Sequence, residues 1–247
     1  TLNSDLSWEI SDDGVLTISG SGLMPEWTSG SSSTFYMMEE IKEVIITDGV
    51  ENIGDYAFYD CSNLVSVTIT STIKSIGSYA FYSCDNLASV VIPESVTNID
   101  ECAFSGCSSL ESISFASSVN SIGDSAFNGC SSLMSITIPE GVTNIGDSLF
   151  SGCSNLTSVT IPEGVTIIGD SAFEDCSSLT SIEIPEGVTN IGSVAFGMCT
   201  SLASILIPDS VTNIGYAAFF YCLSLEEIIV GENNTAYCSV NGVLFNK

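Results

Sequence analysis

The chain has 247 residues, 45% of them apolar, and carries a net charge of −27: thirty acidic residues stand against three lysines, with no arginine and no histidine. That length allows a sizeable core, while the charge speaks against nucleic acid or an anionic membrane surface as a partner. Without histidine, Ser-His-Asp and Cys-His nucleophilic sites are excluded, and no apolar run reaches the roughly 18 residues of a membrane-spanning helix.

The chain opens "TLNSDLSWEI", with no basic stretch, apolar stretch or cleavage site, so a mature or trimmed fragment is expected, its targeting segment absent. In "WEISDDGVLTISGSG", Trp8, Ile10, Leu16 and Ile18 alternate about Asp13-Gly14, which predicts a β-hairpin. Next comes "SSSTFYMMEE", where Phe35 and Met38 stand 23 residues before Phe58 and Cys61. Residues 1–40 are therefore read as a hairpin plus a degenerate capping turn.

From residue 41 to 230 one line repeats. Phenylalanine falls at 58, 81, 104, 127, 150, 173, 196 and 219; cysteine at 61, 84, 107, 130, 153, 176, 199 and 222; leucine at 64, 87, 110, 133, 156, 179, 202 and 225. An unbroken step of 23 signals a solenoid whose turns stack in register. Within one turn, the alternation at Leu133, Ile136 and Ile138 predicts a short half-buried strand, which Pro139 ends by removing a backbone donor. A second extended segment is expected through Val142 to Ile145, and a tight turn through Phe150. Gly141 and Gly146 are read as positions of positive φ. Residues 231–247 form a closing segment: Phe245 falls in the cysteine slot and Gly242 breaks the phenylalanine column, so a cap cut short, or the start of more protein, is expected.

Ten cysteines suggest disulfides at first sight. Slot-mates one strand spacing apart, about 4.8 Å, are too far for the usual Cβ separation of a disulfide, so a reduced, buried ladder is expected. Cys102 and Cys238 lie off the ladder and are the candidates for reactivity. No CxxC pair accompanies the thiols and no calcium-loop motif accompanies the acidic columns (Glu140, Glu163, Glu186, Asp209; Asp124, Asp147, Asp170), so no metal or cofactor is expected; a solvated stripe is the favoured reading of the columns, calcium the other. Stacked carboxylates follow from repetition, and no catalytic residue is assigned. Tyr56, Tyr59, Tyr79 and Tyr82, with Tyr216, Phe220 and Tyr221, gather at the two ends, packed under caps or, alternatively, free to stack on sugars.

The pattern L-x-x-I-x-I-P followed by V-x-x-I-G-x-x-A-F-x-x-C resembles the BspA-like leucine-rich repeat of bacterial surface proteins across residues 41–230. The N-terminal hairpin and the final "ENNTAYCSVNGVLFNK" are similar to the segments that flank such arrays. Thr70 and Ala116 depart from it where later turns have proline, as does Asp100 where they have glycine. The resemblance implies a β-rich leucine-rich-repeat solenoid of stacked 23-residue turns, with a parallel sheet on the concave side and an N-terminal β-hairpin cap. It also implies an extracellular or cell-surface, non-catalytic module for protein binding or adhesion, with a host surface or matrix protein as the expected ligand. The side chains between the buried strand positions then form the expected binding surface: Ser135, Thr137, Ser158, Thr160, Ser181, Glu183, Ser204, Leu206 and Ile229. A passive spacer and a glycan-binding module are the alternatives. Direct membrane insertion is not expected, and the oligomeric state is left open.

Overall fold

The computed structural model describes residues 5–247, so the first four residues of the expected 1–40 cap segment lie outside the described residues. The hairpin is present. Strand β1 (Leu6–Ile10) pairs antiparallel with β2 (Val15–Gly20), with Trp8 opposite Ile18 and Ile10 opposite Leu16. Strand β2 then pairs in parallel with β3 (Glu43–Ile46), so the hairpin is also the first layer of the solenoid sheet.

Each turn that follows has the same parts. In the turn around residue 140, Ser135–Thr137 is a strand with Ile136 buried between exposed Ser135 and Thr137, and Pro139 follows its end. A second strand, Asn144–Ile145, buries Ile145, and a series of tight turns carries the chain through the fully buried Phe150 to Cys153. Period-two burial on a β-branched segment and a donor-less residue at its end give this outcome directly.

The left-handed backbone is not where the glycines pointed. Neither Gly141 nor Gly146 has positive φ; Ser148 (φ 52) and Gly152 (φ 75) do, and their slot-mates repeat the conformation, as at Ser125 and Gly129. Gly146 is small for a different reason: a Cβ there would lie 2.4 Å from Asp124 Oδ1 of the preceding turn. Asp100 likewise fills its glycine slot without a positive φ.

Phenylalanine rings from Phe35 to Phe219 form one continuous stack, with centroids 5.2 Å apart at Phe58–Phe81 and 5.8 Å at Phe127–Phe150. All ten cysteines are free. The ladder thiols do more than fill space: each donates to a phenylalanine carbonyl of the preceding turn, Cys130 to Phe104 at 3.3 Å and Cys153 to Phe127 at 3.2 Å.

One boundary between turns differs from the others. The second-strand ladder runs unbroken from Asn52–Ile53 to Ser121–Ile122, stops, and resumes from Asn144–Ile145 to Asn213–Ile214. At the same boundary the first strands Ser112–Ser114 and Ser135–Thr137 belong to different sheets. Glu111 N–H donates to Ala88 and Thr157 N–H to Met134, but among the described residues no bond joins Met134 to Glu111. First-strand pairing lapses elsewhere too, as at residues 181–183, but there the second ladder continues from Ile167–Ile168 to Asn190–Ile191. The bonds that still cross the boundary flank the parted strands: Ser132 N–H to Ser108 (3.1 Å) lies just before them, and on the phenylalanine side Asp147 N–H bonds Asp124 Oδ1 (2.9 Å), Ser125 bonds Asp147 (2.8 Å), Phe127 bonds Leu149 (3.1 Å) and Gly129 bonds Ser151 (2.7 Å). The sequence supplies a cause. Leu149 occupies the slot of Ala126 and Ala172, and Phe115 the slot of Ile92 and Ile138, its ring meeting that of Phe127 edge-on with centroids 5.9 Å apart. Two oversized side chains in adjacent turns are accommodated by parting the strands rather than by compressing the core.

Candidate binding face

The strand face carries the residues singled out in the sequence. Ser135, Thr137, Ser158, Thr160, Ser181, Glu183, Ser204, Leu206 and Ile229 are all exposed. Parallel register sets Ser135 beside Ser158 and Thr137 beside Thr160, and further along sets Leu206 beside Ile229. Ser181 and Glu183 lie in a stretch without regular strand pairing. An alternating strand whose inward face is fixed by the core must turn these groups outward, so their positions follow from the period alone. Leu206 is 49% and Ile229 43% exposed, a small apolar pair at the C-terminal end of a row whose other members are hydroxyls and Glu183.

The face is not flat. Where the strands part, residues Ser112–Ser117 and Ser135–Glu140 line a cleft of about 430 Å³ with Phe115, Ile136 and Pro139 on its walls. A second depression of about 300 Å³ lies against it, with Glu140, Glu163 and Glu183 contributing carboxylates around Thr160 and Pro162. No motif marks the cleft directly; the two oversized residues, Phe115 and Leu149, are its signal in the sequence.

The acidic columns divide into two kinds. Asp124, Asp147 and Asp170 are structural: Asp124 Oδ1 accepts the Asp147 N–H at 2.9 Å, Asp147 Oδ1 the Asp170 N–H at 2.8 Å, and Asp170 Oδ1 the Ser193 N–H at 2.6 Å. This is also why glycine stands at 146 and 169, since the carboxylate of the preceding turn, Asp124 or Asp147, occupies the space of its Cβ. Glu140, Glu163 and Glu186 are exposed, and Asp209 holds Asn233 through both carboxylate oxygens. Among the described residues no three of His, Cys, Asp and Glu converge on a point that could hold a metal ion.

Two expectations need correction. Cys102 is buried, 9% exposed, and burial pushes its thiol up from the ordinary range, which disfavours the reactive thiolate; Cys238 is only half-buried. The aromatic residues of the last turn are not packed under a cap: Tyr216 is 86%, Phe220 52% and Tyr221 59% exposed. At the other end the cap segment does cover Tyr59, whose ring lies where a Cβ on Gly30 would be.

No described helix is long and apolar enough to cross a membrane. The pattern of the BspA type leucine rich repeat region, in six copies, matches residues 28–157 and 121–240. A leucine-rich repeat protein from Bacteroides ovatus is similar in structure, with a TM-score of 0.72 and 25% identity over 94% of this chain and 71% of that one. The T. pallidum leucine rich repeat protein is similar at a TM-score of 0.64 and 30% identity, over 82% of this chain and 90% of that one. A leucine-rich repeat protein from Eubacterium ventriosum gives 0.54 and 26%, over 94% and 78%. No curated protein matches the chain.

Proposed function

Because the chain belongs to the BspA type leucine-rich repeat family, we propose that it is a cell-surface interaction scaffold that holds a protein ligand against its strand face without any covalent step. Members of this family are repeat proteins, typically non-catalytic, with a protein-interaction or surface-scaffold role. The observation that carries the reading is the row of nine outward side chains from Ser135 to Ile229, exposed on a core that fixes their spacing. The hydroxyls of Ser135, Thr137, Ser158 and Thr160 are exposed and make no hydrogen bond among the described residues, which leaves them available to a ligand. Rigid hydroxyls cost little conformational entropy on binding, and an adjoining apolar pair such as Leu206 and Ile229 supplies an anchor.

The test uses the purified chain over a panel of immobilised matrix and serum proteins. Leu206→Asp with Ile229→Asp, and separately Thr137→Lys with Thr160→Lys, should reduce capture of any retained protein by about tenfold or more, the loss of about 1.4 kcal/mol or more of binding energy. Melting temperature should stay within a few degrees. Undiminished capture by both variants would move the site off this face, and no capture from the panel would favour a passive spacer.

A further inference from the structure

A second surface lies on the turn side, between the second strand and the cysteine, in the first turns. Tyr56 stacks on Tyr79 with centroids 4.9 Å apart and planes 3° apart; Tyr59 stacks on Tyr82 at 4.8 Å and 6°. Tyr36 extends the second column at 5.9 Å, and the columns touch through Tyr56–Tyr59 and Tyr79–Tyr82, both at 5.7 Å. All five rings are half-exposed. Tyr79 Oη donates to Glu101 Oε1 at 3.3 Å, while the other four hydroxyls make no hydrogen bond among the described residues.

The fold does not ask for aromatics here. In the slot of Tyr56 and Tyr79, later turns have Cys102, Ser125, Ser148, Ser171, Val194 and Ala217; in the slot of Tyr59 and Tyr82 they have Ser105, Asn128, Ser151, Glu174 and Gly197, with an aromatic returning only at Phe220 in the last turn. Tyr56 and Tyr79 sit at φ 56 and 57, a left-handed backbone that is unfavourable for a side-chain-bearing residue. Small residues satisfy the same slot in every later turn, so a bulky ring there is explained by its outward face rather than by the backbone.

The charge around the rings has one sign. Asp60 lies close enough to help hold the Tyr59 hydroxyl above its ordinary pKa, after burial and Tyr82, and Glu101 is bonded to Tyr79. Asp55 occupies the same turn as Tyr56, and its carboxylate accepts the Ser78 N–H at 2.8 Å. Lys42 and Lys74, the lysines of this half, lie beside the strands Glu43–Ile46 and Ser75–Ile76 instead, and the chain has no arginine. We infer that this tyrosine platform docks an arginine-bearing basic segment of a partner protein. A guanidinium is planar and weakly hydrated, stacks on aromatic rings, and donates to hydroxyls and carboxylates together. Tyrosine gives a large rigid contact area with a polar tip, the type of residue that concentrates binding energy at protein interfaces.

The experiment titrates the full chain with fluorescently labelled octa-arginine and octa-lysine at about 0.15 M salt, where exposed charges are screened beyond about 8 Å. Octa-arginine should bind about tenfold more tightly, two stacked guanidinium groups accounting for the difference. Tyr79→Ser with Tyr82→Ser, which restores residues that other turns already use, should remove most of that preference and about tenfold of the affinity. Cys84 and Cys107 should remain closed to thiol reagents in this variant; if they open, Tyr82→Ser alone should still lower octa-arginine affinity at least about threefold. Glu163→Gln with Glu186→Gln should change it less than about twofold. Equal affinity for the two peptides, or equal losses in the tyrosine and glutamate variants, would overturn the proposal in favour of a diffuse response to the net charge of −27. Binding of neutral oligosaccharides at the tyrosines, with no preference for octa-arginine, would overturn it in favour of sugar stacking.

Discussion

At the N-terminal end of the phenylalanine stack, Phe35 is fully buried: Trp8 meets it edge-on at 5.5 Å, Trp27 at 6.4 Å, and the hairpin β1–β2 continues the sheet above it. At the other end Phe219 is only half-buried and has a stacked neighbour on one side, Phe196 at 5.7 Å. The final hairpin, Tyr237–Val240 with Val243–Asn246, is tied down by polar bonds. Asn234, 1% exposed, donates to Pro208 and Val211 and accepts from Ala236 and Tyr237, while Tyr237 Oη accepts the Ile214 N–H. Val240, Val243 and Phe245 nevertheless stay about half exposed, and a cleft of about 440 Å³ opens between Phe219, Leu225, Ile228 and Leu244. Identical repeats are therefore not equivalent in energy: what a turn contributes depends on whether it has a neighbour on both sides.

The comparison breaks most easily at the centre. Phe127→Ala should cost about 3 to 5 kcal/mol in urea denaturation, because rings on both sides hold the void open. Phe219→Ala should cost only about 1 kcal/mol, since its site can collapse and water already reaches it; equal losses would mean that both ends are sealed. Trp27→Ala, at the covered end, should fall between them at about 2 to 4 kcal/mol.

Thiol chemistry sharpens the same contrast kinetically. Burial pushes Cys153 up to about 12 from an ordinary value near 9, an about thousandfold smaller thiolate fraction at neutral pH before access is considered. Cys222, half-buried near the open end, should label before any other ladder cysteine when followed by mass spectrometry. Simultaneous labelling of Cys222 and Cys153 would show that the end does not open independently.

The smallest effect concerns pH. Burial, then the charges of Asp55 and Glu26, raise the Asp100 carboxyl above its ordinary 3.8. Such a group binds more protons in the folded than in the unfolded chain, so its contribution is fully present below the unfolded pKa and is lost as pH rises through the raised folded one. Asp100→Asn should therefore raise the melting temperature slightly at pH 7 and leave it unchanged at about pH 3, where both chains are neutral at this site. A loss at pH 7 would show that the ionised carboxylate is favourable there.

The columns of Phe, Cys and Leu, the strand before each proline and the outward Ser/Thr rows were legible in the sequence, because each is a periodic choice with one physical meaning. The left-handed positions were not: the slot of Ser148 accepts tyrosine, cysteine, serine, valine and alanine, so no glycine marks it. Asn52 was equally hidden. It is one more asparagine of the repeat by sequence, yet its Oδ1 accepts the Met24 N–H at 2.6 Å and anchors the cap loop, because the neighbour below it is not another repeat. Asn234 gave no signal beyond its place in "ENNT", since burial of an asparagine depends on tertiary partners rather than on spacing.

The parted boundary between Glu111 and Met134 also has a mechanical meaning. In a rod pulled at its two ends, every interface between turns carries the same load in series, so the interface with fewest bonds yields first. Here that is the boundary where both strand ladders lapse together, leaving the bonds of Ser132, Asp147, Ser125, Phe127 and Gly129. Off-axis tension on the strand side would pivot the two blocks about the phenylalanine-side contacts and widen the cleft beside Phe115 before any other turn came undone.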